Sequence, residues 1–543
     1  MKSLINFFAR QGLFSELLTI LVIGYGLFAL SSIKRETFPN VQYDVITIYT
    51  LYPGAAPSEV EKLITNPIEQ ALKEVDGIKK KISVSTEGRS GVFLILDPDE
   101  TTQAEAKVDV QDVIDKIRDF PDLEEDPDVT ALESKIFPVV EVAVSGGRNP
   151  FHRKETARWL EKEIEKLPQV AKVDLQGERQ YEIRVEISGK KLRAYQLSLA
   201  EVINALREQN VSIPGGTFTQ AFSGIEKDVI VRTEGQFEDV EDVKNTVLRS
   251  NDLGRPILLS DIANVFLSLK KASTAYRVNG KESIRLVVSK KEKADAIDLI
   301  DDLKVMISAV DKSQLQDIEI EYINDLSILI RRRLGVLSNN LLVGLILVVL
   351  VLSVFLPVRV SLVTAIGIPF SFLGCIAYFY LAGISLNLIT MMGLIIVIGM
   401  LVDDAVVVTE NAVRRMENGE APMDAAIRGT QQIWRPVFAS VMTTILAFYP
   451  MTIMTGIFGK FVAFIPLGVI CALLVSLFEC YFVLPYHIGR WISEGDARAP
   501  TSGFKYYFEK VWNFYLELYG NIVAVVARWR YLFAVFFVGL IGL

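Results

Sequence analysis

The chain has 543 residues, half of them hydrophobic, and a formal net charge of −8. So apolar a composition argues against an ordinary soluble enzyme, and the acidic balance argues against nucleic acid as a partner. The sequence has 3 cysteines and 2 histidines, which argues against a disulfide framework, a cysteine or histidine metal site and a Ser/His/Asp triad. Because several apolar runs are long enough to cross a bilayer, the composition predicts a membrane protein.

The apolar runs predict seven membrane-spanning helices, the last of which is cut by the end of the sequence. The runs lie at residues 17–33, 335–356, 360–382, 386–408, 437–457, 461–484 and 531–543. A cleaved signal peptide is the alternative for the first run, although this run is longer than a typical signal core. Lys2 and Arg10 place the amino terminus in the cytoplasm by the positive-inside rule. Counting spans then places the polar region 34–330 on the opposite side of the membrane.

This polar region alternates strand-like and helix-like patterns. Strands at 41–54, 79–88 and 91–98 and helices at 56–77 and 101–121 follow each other in the order β-α-β-β-α, which is the split βαβ, ferredoxin-like pattern. A related pattern recurs with strands at 137–146, 170–177 and 181–188 and helices at 152–167 and 198–209, and a weaker one recurs at 283–307. The predicted fold is therefore an α-helical transmembrane bundle plus a large extracytoplasmic α+β region of repeated ferredoxin-like modules.

Two further segments have a recognisable pattern. Pro214-Gly215-Gly216 predicts a turn that opens an extended hairpin. This hairpin is either a docking arm or an ordinary loop, and the sequence does not separate the two. In the stretch FKYYFEKVWNFYLELYGNIV (504–523), aromatic residues alternate with charged ones. This pattern suits a helix that lies in the cytoplasmic membrane interface, with a solvated linker helix as the alternative.

Two adjacent carboxylates, Asp403 and Asp404, occur near the end of the predicted fourth span, and Glu410 follows about two helical turns later. Two like charges this close cannot both ionise cheaply at membrane depth, and a low dielectric favours the neutral carboxyl. Such a pair can take up and release a proton, as a proton relay requires. Glu479 is a second intramembrane acid, which either joins the relay or hydrogen-bonds across helices. The alternative for the Asp pair is a structural role at the interface.

The stretch GMLVDDAVVVTENAVRRMENG (399–419) resembles the fourth-span signature of the resistance–nodulation–division (RND) transporters, in particular the hydrophobe/amphiphile efflux branch typified by AcrB-type pumps. The blocks at 38–78, LREQNVSIPGG (206–216), LLSDIANV (258–265) and VNGKESIRLVV (278–288) also resemble this family. The resemblance implies a multidrug-resistance-type proton antiporter rather than an enzyme. It further implies a trimer in the bacterial inner membrane that works with a periplasmic adaptor and an outer-membrane channel. No cofactor is expected besides the proton gradient.

By the same resemblance, Asp403 and Asp404 match the relay aspartates, and we expect Glu410, Asn411 and Glu479 to support the relay. Heavy-metal members of the family usually keep one Asp at this point, so the pair argues against metal export and no metal site is expected. Two further residues fall at positions that match the drug pocket of the family: Phe137 matches one of its aromatic residues, while Gln176 stands where another is expected. This difference suggests a substrate other than a broad set of drugs, such as a lipid or another amphiphile.

Family members are usually about twice as long, with a second half that carries a relay lysine. The chain is therefore expected to be the amino-terminal half of a proton-driven exporter, paired with a carboxy-terminal half or another subunit. The alternative is a non-transporting membrane scaffold, or an incomplete half-transporter, whose outer domain binds a partner.

The resemblance also suggests a division of the chain into eight segments. These are the first transmembrane helix (1–33), the first porter-like subdomain (34–135), the first part of the second porter-like subdomain (136–181), a docking-like or funnel-like subdomain with a protruding hairpin (182–271), the second part of the second porter-like subdomain (272–330), transmembrane helices two to six (331–490), the interfacial helix (491–530) and the start of a seventh transmembrane helix (531–543).

Overall fold

The computed structural model describes residues 1–123, 125–133, 137–211, 213–222, 225–233, 235–250, 256–272, 274–311, 315, 317–493 and 504–541. The chain starts with two helices, α1 (Lys2–Arg10) and α2 (Gly12–Ser32). A first α+β module follows, whose elements are β1 (Gln42–Leu51), α3 (Pro57–Val60), a π-helical turn (Glu61–Thr65), α4 (Asn66–Ala71), a 3₁₀ turn (Leu72–Glu74), β2 (Ile78–Thr86), β3 (Arg89–Leu96), α5 (Gln103–Ile114) and β4 (Asp128–Glu133).

The first module is an antiparallel four-stranded sheet in the order β2-β3-β1-β4, with its helices on one face. Alternation of side chains along the strands decides which face carries the core. In β3, Val92, Leu94 and Leu96 are buried, while Phe93 between them is exposed. The buried strand residues pack on helix residues such as Ile64.

The second module and a unit inserted into it follow in the chain. Their elements are β5 (Pro138–Gly146), α6 (Pro150–Glu165), β6 (Val170–Gln176), β7 (Tyr181–Ile187), α7 (Gly189–Ala194), α8 (Leu199–Gln209), β8 (Ile213–Phe222), β9 (Ile225–Thr233), α9 (Val240–Lys244), β10 (Val247–Ser250), β11 (Pro256–Leu258), α10 (Leu259–Ile262), β12 (Ala263–Leu269), β13 (Arg277–Val278), β14 (Lys281–Lys290), α11 (Ala296–Ser308) and β15 (Ile318–Ile323).

The second module has the same strand arrangement as the first. Its four main strands are antiparallel in the order β6-β14-β5-β15, and the short β13 pairs with the start of β14. Both modules therefore follow the element order β-α-β-β-α-β. The α+β character predicted from the sequence is confirmed, while the assignment to ferredoxin-like modules stays a prediction.

The recurring sequence pattern sets the strand at 181–188 beside those at 137–146 and 170–177, whereas the suggested division of the chain starts a separate subdomain at residue 182. This strand, β7, pairs with β12 in a separate two-stranded sheet, and β14 takes the expected place beside β6. The physical reason is burial. β14 is buried along most of its length, as a central strand requires, whereas β7 alternates charged and apolar residues and is only half-buried.

The inserted unit runs from β7 to β12 and has a small core of its own, which includes Val202, Leu259 and Ile262. Its strands β8 and β9 form an antiparallel hairpin, as the sequence predicts. Pro214-Gly215-Gly216 does not form the turn of this hairpin. These residues lie within β8, where the pairing register shifts between Pro214 and Thr217. Proline is common at such irregularities because it has no N–H to donate to the ladder, and glycine within a strand often marks a bulge. The connection between the two strands, residues 223–224, lies outside the described residues.

The rest of the chain is helical. Its elements are α12 (Leu326–Phe355), α13 (Val358–Ala365), α14 (Gly367–Leu381), α15 (Leu388–Ile398), α16 (Asp403–Glu417), α17 (Pro422–Phe448), a 3₁₀ turn (Tyr449–Thr452), α18 (Gly456–Val462), α19 (Phe464–Phe478), a π-helical turn (Glu479–Val483), α20 (Leu484–Trp491), α21 (Phe504–Arg528) and α22 (Arg530–Ile541).

Within the described residues, five helical stretches are long and apolar enough to cross a membrane: Gly12–Ser32, Leu326–Phe355, Val358–Leu381, Leu388–Glu417 and Gly456–Trp491. A sixth arises if Val511–Arg528 and Arg530–Leu540, which are bent by 86°, count as one span. The multi-pass prediction is therefore confirmed. The predicted fifth span, 437–457, differs from the structure: helix α17 begins at Pro422 and ends at Phe448, two residues before Pro450, whose missing N–H cannot continue a helix.

The predicted interfacial segment 491–530 contains α21, which is a helix as expected, while residues 494–503 lie outside the described residues. Its placement in a membrane interface stays a prediction.

The membrane helices share one apolar core, in which α14 packs against α2 and α19, and α15 packs against α19. Small residues allow the closest approaches. At Gly393 on α15, a Cβ atom would lie 2.4 Å from the carbonyl oxygen of Ile465 on α19. Small residues at helix contacts are typical of membrane bundles, where close packing replaces the hydrophobic drive.

Candidate functional site

The predicted fourth span is broken immediately before the two aspartates. Helix α15 ends at Ile398 and α16 begins at Asp403, with Gly399 to Val402 forming turns between them. Both aspartates thus occupy the first turn of α16, where backbone N–H groups lack intrahelical acceptors and the helix dipole favours negative charge. The sequence predicts one uninterrupted span here. The break is sustained by tertiary contact, because the Ser476 hydroxyl on α19 donates a hydrogen bond of 3.1 Å to the Leu401 carbonyl.

The two aspartates lie in different surroundings. Asp404 is 8% exposed, while Asp403 is exposed. Their side chains point about 100° apart on the helix, which is the geometry expected for adjacent positions. Among the described residues, no side chain or backbone group forms a hydrogen bond or ion pair with Asp404. The same holds for Asp403, so what distinguishes Asp404 within the pair is its burial.

Glu410 and Asn411, which the sequence associates with the pair, lie further along α16. Glu410 is exposed. The Asn411 amide donates hydrogen bonds to the Gly429 carbonyl (2.8 Å) and to Gln432 (3.4 Å) on α17. Since a helix rises about 1.5 Å per residue, both are roughly 9 to 10 Å beyond Asp404 along the axis. The structure therefore does not bring them to the Asp pair, and it gives Asn411 a contact that holds α16 against α17.

Glu479, by contrast, lies close to the acid pair in space. It begins the π-helical turn between α19 and α20, and it is 2% exposed. The next two residues of this turn, Cys480 and Tyr481, are near enough to Asp404 to interact with it electrostatically. Asp404 therefore lies beside the turn that Glu479 begins, although the two residues are far apart in sequence.

Sequence reasoning missed a group of small hydroxyl residues in the membrane core. Thr364 on α13 donates a hydrogen bond of 3.0 Å to Thr409 on α16, and both side chains are buried. Ser371 on α14 is also buried, and its hydroxyl has no partner among the described residues. Isolated Ser and Thr residues in apolar runs give only a weak signal, because most of them bond to their own helix or to a neighbouring helix.

The two residues predicted for substrate binding lie on the second module but do not meet. Phe137 precedes β5, accepts a backbone hydrogen bond from Lys290 at one end of β14, and packs edge-on against Phe38 at 5.7 Å. Gln176 lies opposite Arg285, about five residues away along β14, which corresponds to roughly 16 Å.

The polar surroundings of Gln176 differ from an aromatic pocket. Its amide oxygen accepts a hydrogen bond from Arg285, which also forms an ion pair with Glu141 at 2.9 Å. Gln176 also lines an open cavity of about 520 Å³, together with residues 177–180, 270–272, 274 and 276. This position therefore belongs to a charged and polar network on the sheet.

A short segment after α2 connects the fourth span to the second module. The backbone of residues 34–37 hydrogen-bonds with residues 386–388, which lead into α15, at 2.8 to 3.2 Å. On the other side, Arg35 forms ion pairs with Asp295 (2.8 Å) and Asp298 (2.7 Å) of the second module. This segment, residues 34–37, is hereafter called the coupling segment.

The coupling segment also contains a buried ion pair. Glu36 is 7% exposed and Lys290 is 6% exposed, and their charged groups lie 3.2 Å apart. Burial raises the pKa of the Glu36 carboxyl above its usual value, and Lys290 offsets this only in part. The pair ties the start of the outer region to the end of β14.

Comparison with known proteins agrees with the fold and with the resemblance found in the sequence. The model of the AcrB/AcrD/AcrF family matches residues 4–543. The swarming motility protein SwrC of Bacillus subtilis (strain 168) is 27% identical over 590 residues, which cover 100% of this chain and 55% of SwrC. The multidrug resistance protein MdtC of Yersinia enterocolitica is 27% identical over 460 residues, covering 83% of this chain and 44% of MdtC, and MdtC of Yersinia pseudotuberculosis gives the same values.

The chain thus spans about half the length of the curated relatives it matches. The family match extends over the outer modules, the acid pair and the membrane helices alike. The chain therefore belongs to the AcrB/AcrD/AcrF family of resistance–nodulation–division transporters.

Proposed function

We propose that the chain forms part of a proton-driven exporter in which Asp403 and Asp404 bind and release the transported protons. The observation that carries this proposal is the buried Asp404 carboxyl group, which stands at a break in a membrane span without a partner among the described residues. An intramembrane carboxyl group of this kind is costly unless it is neutralised, and it is therefore suited to a site that is alternately protonated and paired.

Proton binding has to change the shape of the outer modules for export to occur, since a ligand shifts a conformational equilibrium only through differential affinity. The coupling segment supports such a connection, because it bonds both to the start of α15 and to the second module. Each proton that moves inward through 100 mV supplies about 2.3 kcal/mol. This energy would reach the outer region through α15 and the coupling segment.

The charged state of the pair requires a cation that none of the described Lys and Arg side chains supplies through an ion pair. We propose that this cation comes from a carboxy-terminal half or from another subunit. The functional assembly would then be a trimer in the bacterial inner membrane, with its outer modules in the periplasm and with an adaptor and an outer-membrane channel as partners.

We further propose that the exported molecules are hydrophobic or amphiphilic, and include lipids. The relative MdtC is named for multidrug resistance, which supports drug-like small molecules as substrates. The polar contacts of Gln176 and Arg285 favour a substrate that also carries a polar or anionic group, because Arg285 is placed beside the open cavity that Gln176 lines.

The test is proton-coupled transport by the complete transporter in proteoliposomes with an imposed pH gradient. Asp404→Asn should reduce both proton flux and substrate flux to the level of protein-free vesicles, and Asp403→Asn should do the same. Insertion and thermal stability should stay at wild-type values, because Asn has the shape of Asp without its charge. Efflux at the wild-type rate by either variant would rule out the relay assignment.

Asp424→Asn serves as the matched control. Asp424 is half-exposed at the start of α17 and forms an ion pair with Arg10 at 3.2 Å. The Asp424→Asn substitution removes the same charge from the helical part of the protein without touching the break in the fourth span. Its flux should equal that of the wild type, and loss of flux in this control would show that the assay responds to charge removal in general.

A further inference from the structure

Among the described residues, Glu479 is the most deeply buried acid of the membrane core, and the proposed function gives it no role of its own. It is 2% exposed, and its Oε2 atom has no hydrogen-bond partner among the described residues. Most buried polar atoms in proteins are paired, so an orphaned carboxyl oxygen calls for a specific explanation. Its position at the first residue of a π-helical turn adds to this, because such turns occur frequently at functional sites.

The carboxyl group of Glu479 occupies a notch that a glycine creates. A Cβ atom at Gly367, the first residue of α14, would lie 3.1 Å from Oε2 and 3.3 Å from the carboxyl carbon of Glu479. Any side chain at position 367 would therefore press on this carboxyl group. Ser371, one turn further along the same face of α14, is the buried serine whose hydroxyl also lacks a partner. Glu479 and Ser371 thus each have a buried oxygen atom without a hydrogen-bond partner among the described residues.

The titratable group beside Glu479 is Cys480 in its own turn, and Cys480 in turn lies within electrostatic reach of Asp404 on α16. The Tyr481 hydroxyl points elsewhere and donates to the Trp434 carbonyl at 2.6 Å. No described Lys or Arg forms an ion pair with Glu479. A buried carboxylate without a cation is much less stable than its protonated form.

We propose that Glu479 is a second proton-binding site of this chain, which holds a proton in the arrangement seen here and exchanges it during transport. The turn that Glu479 begins also lies beside Asp404, so both acids belong to the same part of the membrane core. The role of this site in transport rests on the proposed proton coupling, whereas the protonation of Glu479 does not.

Infrared spectroscopy of the purified full chain in lipid nanodiscs, with any subunit that co-purifies, tests the protonation directly. At neutral pH the wild type should show a protonated-carboxyl C=O band that Glu479→Gln removes and Glu479→Asp moves to another frequency. Glu420→Gln is the matched control, because Glu420 forms an ion pair with Arg415 at 2.7 Å and should contribute no such band. An unchanged band in Glu479→Gln would overturn the proposal. If this variant does not fold, an unshifted band in Glu479→Asp overturns it equally.

Flux measurements on the complete transporter separate this proposal from the proposed function. Glu479→Gln should change the pH dependence of transport while Asp404→Asn abolishes transport. If Asp404→Asn still transports, the proposed function fails, but the infrared assignment of Glu479 stands. If Glu479→Gln transports with the wild-type pH profile, the exchange of its proton during transport is refuted.

Discussion

The buried ion pair Glu36–Lys290 allows the effect of a substitution on the free energy of unfolding to be calculated. Lys290→Met leaves the buried Glu36 carboxylate without its ion-pair partner and with only the more distant charge of Lys34, so the folded chain must either bear the Glu36 charge or protonate Glu36. Protonation sets the ceiling: at 1.36 kcal/mol per pKa unit and an ordinary Glu pKa of about 4.3, it costs about 3.7 kcal/mol at pH 7 and about 1 kcal/mol at pH 5. For a unit of the size of the second module with its insertion, this corresponds to a lower Tm by roughly 7 to 15 °C at pH 7 and roughly 2 to 4 °C at pH 5.

The direction of the pKa shift of Glu36 decides whether the destabilisation grows or falls with rising pH. Burial raises the pKa of Glu36 above its unfolded value, so its cost to stability appears as the pH rises from the unfolded pKa through the folded one. Without Lys290 the folded pKa rises further, and the destabilisation grows up to neutral pH.

Thermal unfolding of the purified wild type, the single variant Lys290→Met and a double variant, each at pH 5 and pH 7, measures this pH-dependent loss of stability. The double variant Glu36→Gln/Lys290→Met is the control, because it has lost the same lysine contacts but cannot titrate at this site. The single variant should match the double variant at pH 5 within about 1 kcal/mol and fall below it by up to about 3.7 kcal/mol at pH 7. Equal stability of the two variants at pH 7 would refute the reasoning.

Two further predictions concern other parts of the chain. Gly393→Ala should lower the stability of the membrane part by about 1 to 3 kcal/mol, because the new methyl group overpacks against the Ile465 carbonyl. Gly399→Ala is the control and should not lower it, because no neighbouring atom lies within 4 Å of the new Cβ. Equal effects of the two substitutions in detergent unfolding assays would contradict this prediction. In the inserted unit, hydrogen bonds from the backbone and hydroxyl of Ser198 lower the pKa of Glu201 to about 2, so its stabilising contribution is present at neutral pH and is lost as the pH falls from the ordinary Glu value towards 2. Glu201→Gln should therefore remove this part of the acid dependence of unfolding, and a wild-type acid profile in that variant would disprove the assignment.

Local sequence pattern indicated the type of many elements and singled out the acid pair, whose role in proton binding stays a prediction. Apolar runs of span length predict the membrane helices because the bilayer dictates their length. Alternation in β3 predicts its buried face, because strand periodicity is a property of the backbone. Asp403 and Asp404 stand out because charge is costly within an apolar run, and this cost can be read without knowing any neighbour.

Which strands pair and which side chains meet, by contrast, was decided by the tertiary structure alone. The pattern of β7 indicates a half-buried strand, and the resemblance places residues 182–271 in a separate segment, but only the fold shows that β7 pairs with β12. Likewise, sequence treats Asp403 and Asp404 as equals, whereas packing buries one and exposes the other. Glu479 approaches the acid pair, and Glu36 meets Lys290, across long sequence separations. Periodicity reports how a residue is oriented within its own element, while contacts between distant elements depend on how the whole chain packs.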